Sequence, residues 1–144
     1  MTSNIEKISE KMVMLYLKVM RSLRDKRITK LDLSAPQIII LLSLQEMDCA
    51  KVSDLARERG VSVPTMTGVI DRMEQAGYLK RTANKNDRRQ VLIKLTPKGK
   101  NTVDKILQTV RKKWSGFAAA LTEPERRSYA SILQKLIKVA ETRK

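Results

Sequence analysis

The sequence contains no histidine. That removes the commonest metal ligand and the commonest general base. Its one cysteine, Cys49, excludes a disulfide framework within the chain and fits a reducing, cytoplasmic setting. A lone cysteine among scattered carboxylates also makes a poor transition-metal site. Aromatic residues are 3% of the chain, too few to build a platform on which single-stranded bases stack. The five glycines are isolated, so no phosphate-cradling loop is present. No apolar run approaches the ~18–20 residues of a membrane span. The start, MTSNIEKISEK, lacks the basic and apolar segments of a signal peptide. Enzymatic chemistry has little to work with here. The expectation is a non-enzyme with no metal and no cofactor.

What is present is positive charge. The 144 residues carry 30 Lys and Arg against 15 Asp and Glu, a net charge of +15. The excess is uneven. Residues 1–50 hold 8 bases and 6 acids, residues 51–100 hold 12 and 5, and residues 101–144 hold 10 and 4. The densest stretch is Tyr78–Lys100, YLKRTANKNDRRQVLIKLTPKGK, with eight bases and one acid, Asp87. Its apolar segments, Tyr78–Leu79 and Val91–Leu95, flank a polar turn, which is the pattern of a hairpin with a charged tip. A hairpin cannot bury that much charge. A finger this basic suits a polyanion, and nucleic acid is the commonest one. The bland alternative is a lysine-rich solvated surface.

The rest reads as helices. Ile5, Ile8, Met12, Leu15, Tyr16, Val19 and Leu23 recur at helical spacing, which predicts one long amphipathic helix ending near Lys30. Ser34-Ala-Pro-Gln37 is a capping box that opens a second helix through Leu44. Asp48–Lys51 breaks the pattern. A short helix then carries Leu55 and Ala56 to a glycine cap at Gly60. Ser62 caps the next helix, whose apolar stripe is Met66, Val69, Ile70 and Met73. Two short helices joined by Gly60-Val61-Ser62 form a helix-turn-helix, and the basic hairpin that follows at once makes it winged. Thr96-Pro97 starts a long helix in which Gly99 is a mild cost, and Thr122-Glu-Pro-Glu125 caps a final one. The fold class expected is mainly α with a small β-hairpin wing. The chain reads as a single domain, with residues 34–99 as the winged module and residues 1–33 and 100–144 as dimerisation helices. The apolar stripes of those outer helices need a partner surface, and a two-fold dimer supplies one.

In this order the chain resembles the MarR family of transcription regulators. The most specific segment is Asp87-Arg88-Arg89 followed by Leu95-Thr96-Pro97-Lys98-Gly99, similar to the family's wing signature. Val52-Ser-Asp-Leu-Ala56 and Thr67…Asp71-Arg72-Met73-Glu74…Gly77-Tyr78-Leu79 support it. The resemblance implies a homodimer that binds a pseudo-palindromic operator on double-stranded DNA, usually as a repressor. It also implies release by a small anionic or phenolic ligand, or by cysteine oxidation. Two positions depart from the pattern. Gly68 stands where many relatives carry a larger residue, and Lys51 stands where a Ser or Thr cap is usual, so the helix after it is expected to be weakly capped or to begin at Ser53.

Pro64, Thr65, Thr67 and Gly68 lie at the N-terminal end of the second helix of the motif, the part that reaches base edges. Thr methyl and hydroxyl groups suit a thymine methyl or a base acceptor, although the Thr67 hydroxyl can instead bond back to its own helix. Arg72 is expected at a phosphate. At the wing, Asp87 is expected to orient the Arg89 guanidinium for a narrow minor groove, with a purely structural Asp87–Arg89 pair as the alternative. Lys85 and Arg88 are expected at phosphates, as are Lys80, Arg81 and Lys94 if they face the duplex. The resemblance places a ligand cleft between the dimer helices and the winged module, with Met12, Tyr16, Met20, Arg21, Ile40 and Met47 as candidate lining residues. Cys49 reads as a small buried residue rather than a redox switch. Two other functions stay open. One is an effector-independent, nucleoid-type DNA binder. The other is an RNA-binding or protein-interaction module.

Overall fold

A computed structural model describes residues 3–143, without the side chains of Arg27 and Thr29. Met1, Thr2 and Lys144, which end the expected outer helical segments, lie outside the described residues. The elements in order are α1 (Asn4–Ser22), α2 (Lys26–Thr29), α3 (Ala35–Met47), α4 (Val52–Arg59), α5 (Val63–Gln75), β1 (Leu79–Ala83), β2 (Val91–Leu95), α6 (Pro97–Ala119) and α7 (Glu123–Thr142). The protein is mainly α with a two-stranded antiparallel wing, as its residue pattern implies. It resolves into two compact units, Met1–Gln108 and Thr109–Lys144, with the boundary inside α6. Among the described residues no helix is long and apolar enough to cross a membrane.

The core of the first unit is built from short stripes. Ile40, Leu41 and Leu44 of α3 meet Leu55 and Ala56 of α4, Met66, Ile70 and Met73 of α5, Leu79, Ile93 and Leu95 of the wing, and Val103 of α6. Truncating one of the fully buried members, such as Ile70, costs about 2–5 kcal/mol in sites of this kind. This core joins the recognition motif to the base of the wing. Ile40, expected above to line a ligand cleft, is 1% exposed inside it. It is a core residue, because it sits on the buried stripe of α3 together with Leu41 and Leu44.

The local chemistry of the chain explains where its helices start. Gln37 accepts the Ser34 N–H at 2.8 Å, opening α3. Ser62 accepts the Thr65 N–H at 3.2 Å, opening α5. Thr96 accepts the Gly99 N–H at 3.1 Å, opening α6. In the second unit the reciprocal bonds between Thr122 and Glu125 open α7, and the Thr122 N–H donated at 2.8 Å holds the Glu125 carboxyl below its ordinary range. Lys51 precedes α4 without a side-chain capping bond, so that helix begins at Val52 with a weak cap. Gly60 ends it at φ +63°, where the Val61 N–H reaches the Ala56 carbonyl.

Three features differ from the reading of the sequence. The first helix does not run to Lys30. It ends at Ser22, whose hydroxyl bonds back to the Lys18 and Val19 carbonyls, and the Asp25 carbonyl then accepts the Ile28 N–H to start α2. Asp is a favoured residue at such a start, so the apolar spacing continues across a real break. Second, the interruption at Asp48–Lys51 contains a sheet contact. Ala50 and Ile93 exchange both backbone hydrogen bonds, at 3.1 and 2.8 Å, which adds a third edge to the base of the wing. Third, Gly99 is a requirement rather than a mild cost. A Cβ there would lie 2.2 Å from the Tyr78 carbonyl oxygen, so only glycine lets α6 pass this close to the wing.

No residue of α1 or α7 is buried. Ile8, Met12, Tyr16 and Leu17 on α1, and Ile132, Leu136 and Ile137 on α7, are all at least 46% exposed. Within the second unit α7 meets the preceding helix through the Trp114 and Tyr129 rings, 6.0 Å apart, and through Arg126, which donates to the Ala118 carbonyl at 2.8 Å.

Candidate nucleic-acid interface

The interface begins at the first turn of α5. Ser62 and Pro64 set this turn, the first by capping it and the second by its pre-set φ. Pro64 and Thr65 are exposed, and Thr67 and Gly68 are half-buried. Both threonine hydroxyls are already engaged. Thr65 Oγ1 is 2.7 Å from Ser62 Oγ, and Thr67 Oγ1 donates to the Val63 carbonyl at 2.9 Å. Thr67 therefore takes the internal bond that the sequence left open, which commits its hydroxyl proton and leaves its methyl group and oxygen lone pairs to a partner.

Gly68 is informative for the opposite reason to Gly99. A Cβ at this position would meet no heavy atom within 4 Å. Glycine inside a helix costs about 1 kcal/mol relative to alanine, and nothing in the fold requires it here. The bare backbone leaves room for something outside the chain.

The wing is tied to α5 by one side chain. The Arg81 guanidinium on β1 donates to Asp71 Oδ1 at 2.6 Å and also to Glu74 Oε2, while its backbone N–H reaches Glu74 Oε1 at 3.3 Å. The hydrogen bond to Asp71, helped by the charge of Glu74, holds the Arg81 pKa above its ordinary value. Arg81 was expected at a phosphate if it faced the duplex. Its donors are instead occupied by two carboxylates of α5, which sets the wing against the recognition helix. Sequence reasoning missed this role. The available signal was a pair of acids three residues apart on a helix, followed by a basic strand.

The wing tip is held by its own side chains. Asn84 Oδ1 accepts the Asn86 N–H at 3.0 Å, Asn84 Nδ2 donates to Gln90 Oε1 at 3.0 Å, and Asp87 Oδ1 accepts the Arg89 N–H at 3.0 Å. Asp87 thus orients the backbone of the turn. No ion pair joins its carboxylate to the Arg89 guanidinium among the described residues, because the carboxylate already faces the amide two residues on. Lys85, Arg88 and Arg89 are exposed, as is Arg72 on the last turn of α5. None of these four has an ion-pair partner among the described residues. Lys80 and Lys94 are elsewhere. They lie at the base of the wing, and Lys94 is 3.4 Å from Asp48.

Met12, Tyr16, Met20 and Arg21 lie exposed on α1, Met47 is exposed in the last turn of α3, and Ile40 is in the core. Cys49 is half-buried.

A surface built from the exposed N-terminal turn of a helix and an adjacent cationic hairpin has the form of a duplex reader. The pattern described as the MarR family matches residues 33–91, which include the first turn of α5 and the wing tip. The chain is 39% identical over 89 residues to the uncharacterized HTH-type transcriptional regulator YfiV of Bacillus subtilis, covering 60% of this chain and 56% of that one. It therefore spans little more than half the length of that relative. It is 32% identical over 113 residues to the HTH-type transcriptional repressor MdtR of Bacillus subtilis, covering 78% of this chain and 73% of that one. Among solved structures, a cysteine-to-serine mutant of MarR from E. coli complexed with operator DNA aligns with a TM-score of 0.66 at 27% identity, over 92% of this chain and 94% of that one. With a relative matched along most of both sequences and a fold shared over nearly the whole chain, the chain belongs to the MarR family.

Proposed function

We propose that this protein is a homodimeric, sequence-specific duplex-DNA-binding transcriptional regulator, acting as a repressor that a small anionic ligand releases. The observation that carries the DNA reading is the set of four unpaired cations, Arg72, Lys85, Arg88 and Arg89, beside the open first turn of α5. A cation with no internal partner is free to meet phosphate and displace counterions. Pro64, Thr65, Thr67 and Gly68 then face the major groove, and the Arg89 guanidinium enters the minor groove beyond it. The relatives above are named as transcriptional regulators, and MdtR as a repressor. This favours a regulator over a nucleoid-type coating protein.

The dimer reading is supported by the unburied apolar faces of α1 and α7, since exposed apolar faces mark interaction surfaces. A second copy related by a two-fold axis covers like with like. Two recognition helices would then meet half-sites about one helical turn, ~34 Å, apart. The repressor's release depends on a ligand site, for which Met12, Tyr16, Met20 and Arg21 on α1 and Met47 on α3 remain exposed candidates.

The test combines sedimentation with a competition titration. The reading expects a dimer at micromolar concentration, and a labelled duplex that unlabelled duplex displaces and structured RNA does not. A monomer under those conditions removes the dimer. Displacement by RNA as effective as by duplex transfers the protein to the RNA-binding class.

A further inference from the structure

The base of the wing holds a second cluster of positive charge, separate from the tip. The register places Lys80 directly opposite Lys94 across the antiparallel ladder. Like charges in that relation repel and weaken the ladder. Lys100 joins them from the first turn of α6, where the helix dipole is positive. The three lysines line one mainly polar cleft of about 300 Å³ with Gln45 and Asp48, above the buried Leu44 and Leu95. Lys80 and Lys100 have no ion-pair partner among the described residues.

Asp48 is the one carboxylate lining the cleft, and it faces Lys94. Its backbone is strained, with φ +63° and ψ −42°, and the Cys49 N–H bonds across it to the Met47 carbonyl at 2.8 Å. This is a γ-turn of the rare positive-φ kind. Such a conformation costs on the order of 1–3 kcal/mol and concentrates at ligand sites. A strained turn and a like-charged cross-strand pair thus converge on one cleft. One carboxylate against three ammonium groups leaves two positive charges there uncompensated. Local conflicts of this kind are expected where a fold serves a function.

We propose that this cleft binds a small phosphate-bearing anion. The phosphate sits among Lys80, Lys94 and Lys100, and the Gln45 carboxamide supplies a neutral donor. The volume is at the small end of ligand sites, which suits a small organic phosphate. The duplex backbone is the other source of the same chemistry. However, Lys80 lies three residues back from the tip end of its strand, roughly 10 Å away. The proposal deepens the ligand-released part of the reading above, and rests on that reading only for its effect on DNA. A ligand held between the wing, α3 and α6 would bias the angle at which the wing leaves the module.

The test is calorimetric titration of the full chain with inorganic pyrophosphate at low ionic strength, without DNA. Saturable binding of one pyrophosphate per chain is expected. Lys80→Gln and Lys100→Gln should each weaken it about tenfold, as loss of a charge-assisted contact does. Lys112→Gln, on α6 outside the cleft, should leave it unchanged. No saturable binding, or an equal loss with Lys112→Gln, would overturn the site in favour of general surface charge. A salt titration of duplex binding separates the two phosphate sources. An unaltered slope for Lys80→Gln and Lys100→Gln supports the small ligand, and a slope lowered by about one for each assigns these lysines to the DNA backbone and overturns the proposal. A chain that binds pyrophosphate but no duplex would refute the DNA reading and leave the cleft standing.

Discussion

The tip and the base of the wing carry the same kind of charge in different states. At the tip, Lys85, Arg88 and Arg89 are exposed, and the one nearby acid, Asp87, gives a carboxylate oxygen to a backbone amide. At the base, Arg81 is bound to two carboxylates and Lys94 to one. Arg81 and Arg89 are eight positions apart on one hairpin. One holds the hairpin against α5, and the other is free to meet a partner. Charge density along a sequence locates a basic segment. Only the tertiary partners decide which of its cations remain available to a polyanion.

The comparison can be broken by mutation. Arg89→Ala should have the largest effect, lowering specific duplex affinity by about 1–3 kcal/mol in an anisotropy titration. Its melting temperature should stay at the wild-type value; a matching fall in melting temperature would put Arg89 in the same structural role as Arg81. Arg81→Ala should do the reverse. It leaves Asp71 and Glu74 unpaired, but both are part-exposed, so the stability loss is about 1 kcal/mol, seen as a drop of a few degrees on heating. Its duplex salt slope should not change, and a slope reduced by about one would erase the distinction between base and tip.

Gly68→Ala sharpens the same contrast on α5. The added methyl meets nothing, so stability should rise by about 0.8–1 kcal/mol while duplex affinity falls. A stability gain with unchanged affinity would take Gly68 out of the interface. Lys85→Ala should have the smallest effect, a few-fold loss spread evenly over duplex sequences, with the salt slope reduced by about one. A loss confined to one sequence would make Lys85 a base reader instead.

The parts of the fold legible in the sequence are those decided by neighbours along the chain. Ser34, Ser62, Thr96 and Thr122 begin helices because a cap needs only the next three residues. The hairpin was legible from its turn and its flanking apolar residues. What escaped depends on contacts between distant positions. Gly99 matters because of the Tyr78 carbonyl, Ala50 because of Ile93, and Arg81 because of Asp71 and Glu74. The break between α1 and α2 escaped because apolar spacing continues through it.

The same division runs through the candidate sites. The residues proposed to face DNA form two local clusters, on α5 and at the wing tip, so one motif could nominate them together. The candidate ligand residues on α1 and α3 rest on the cleft that the resemblance implies, and a resemblance cannot distinguish a core position such as Ile40 from a lining one. The lysine cleft was hidden for a related reason. Lys80 and Lys94 become neighbours only through the register of the hairpin, and Lys100 only through the path of α6 past Tyr78.

The most direct test of the central claim is selection of binding sites by the purified protein from random duplex DNA at near-physiological salt. The account predicts an enriched two-fold symmetric motif with half-site centres about one helical turn, ~34 Å, apart. Tight binding with no enriched motif would contradict it, and would mean that the unpaired cations of α5 and the wing serve sequence-indifferent coating of DNA.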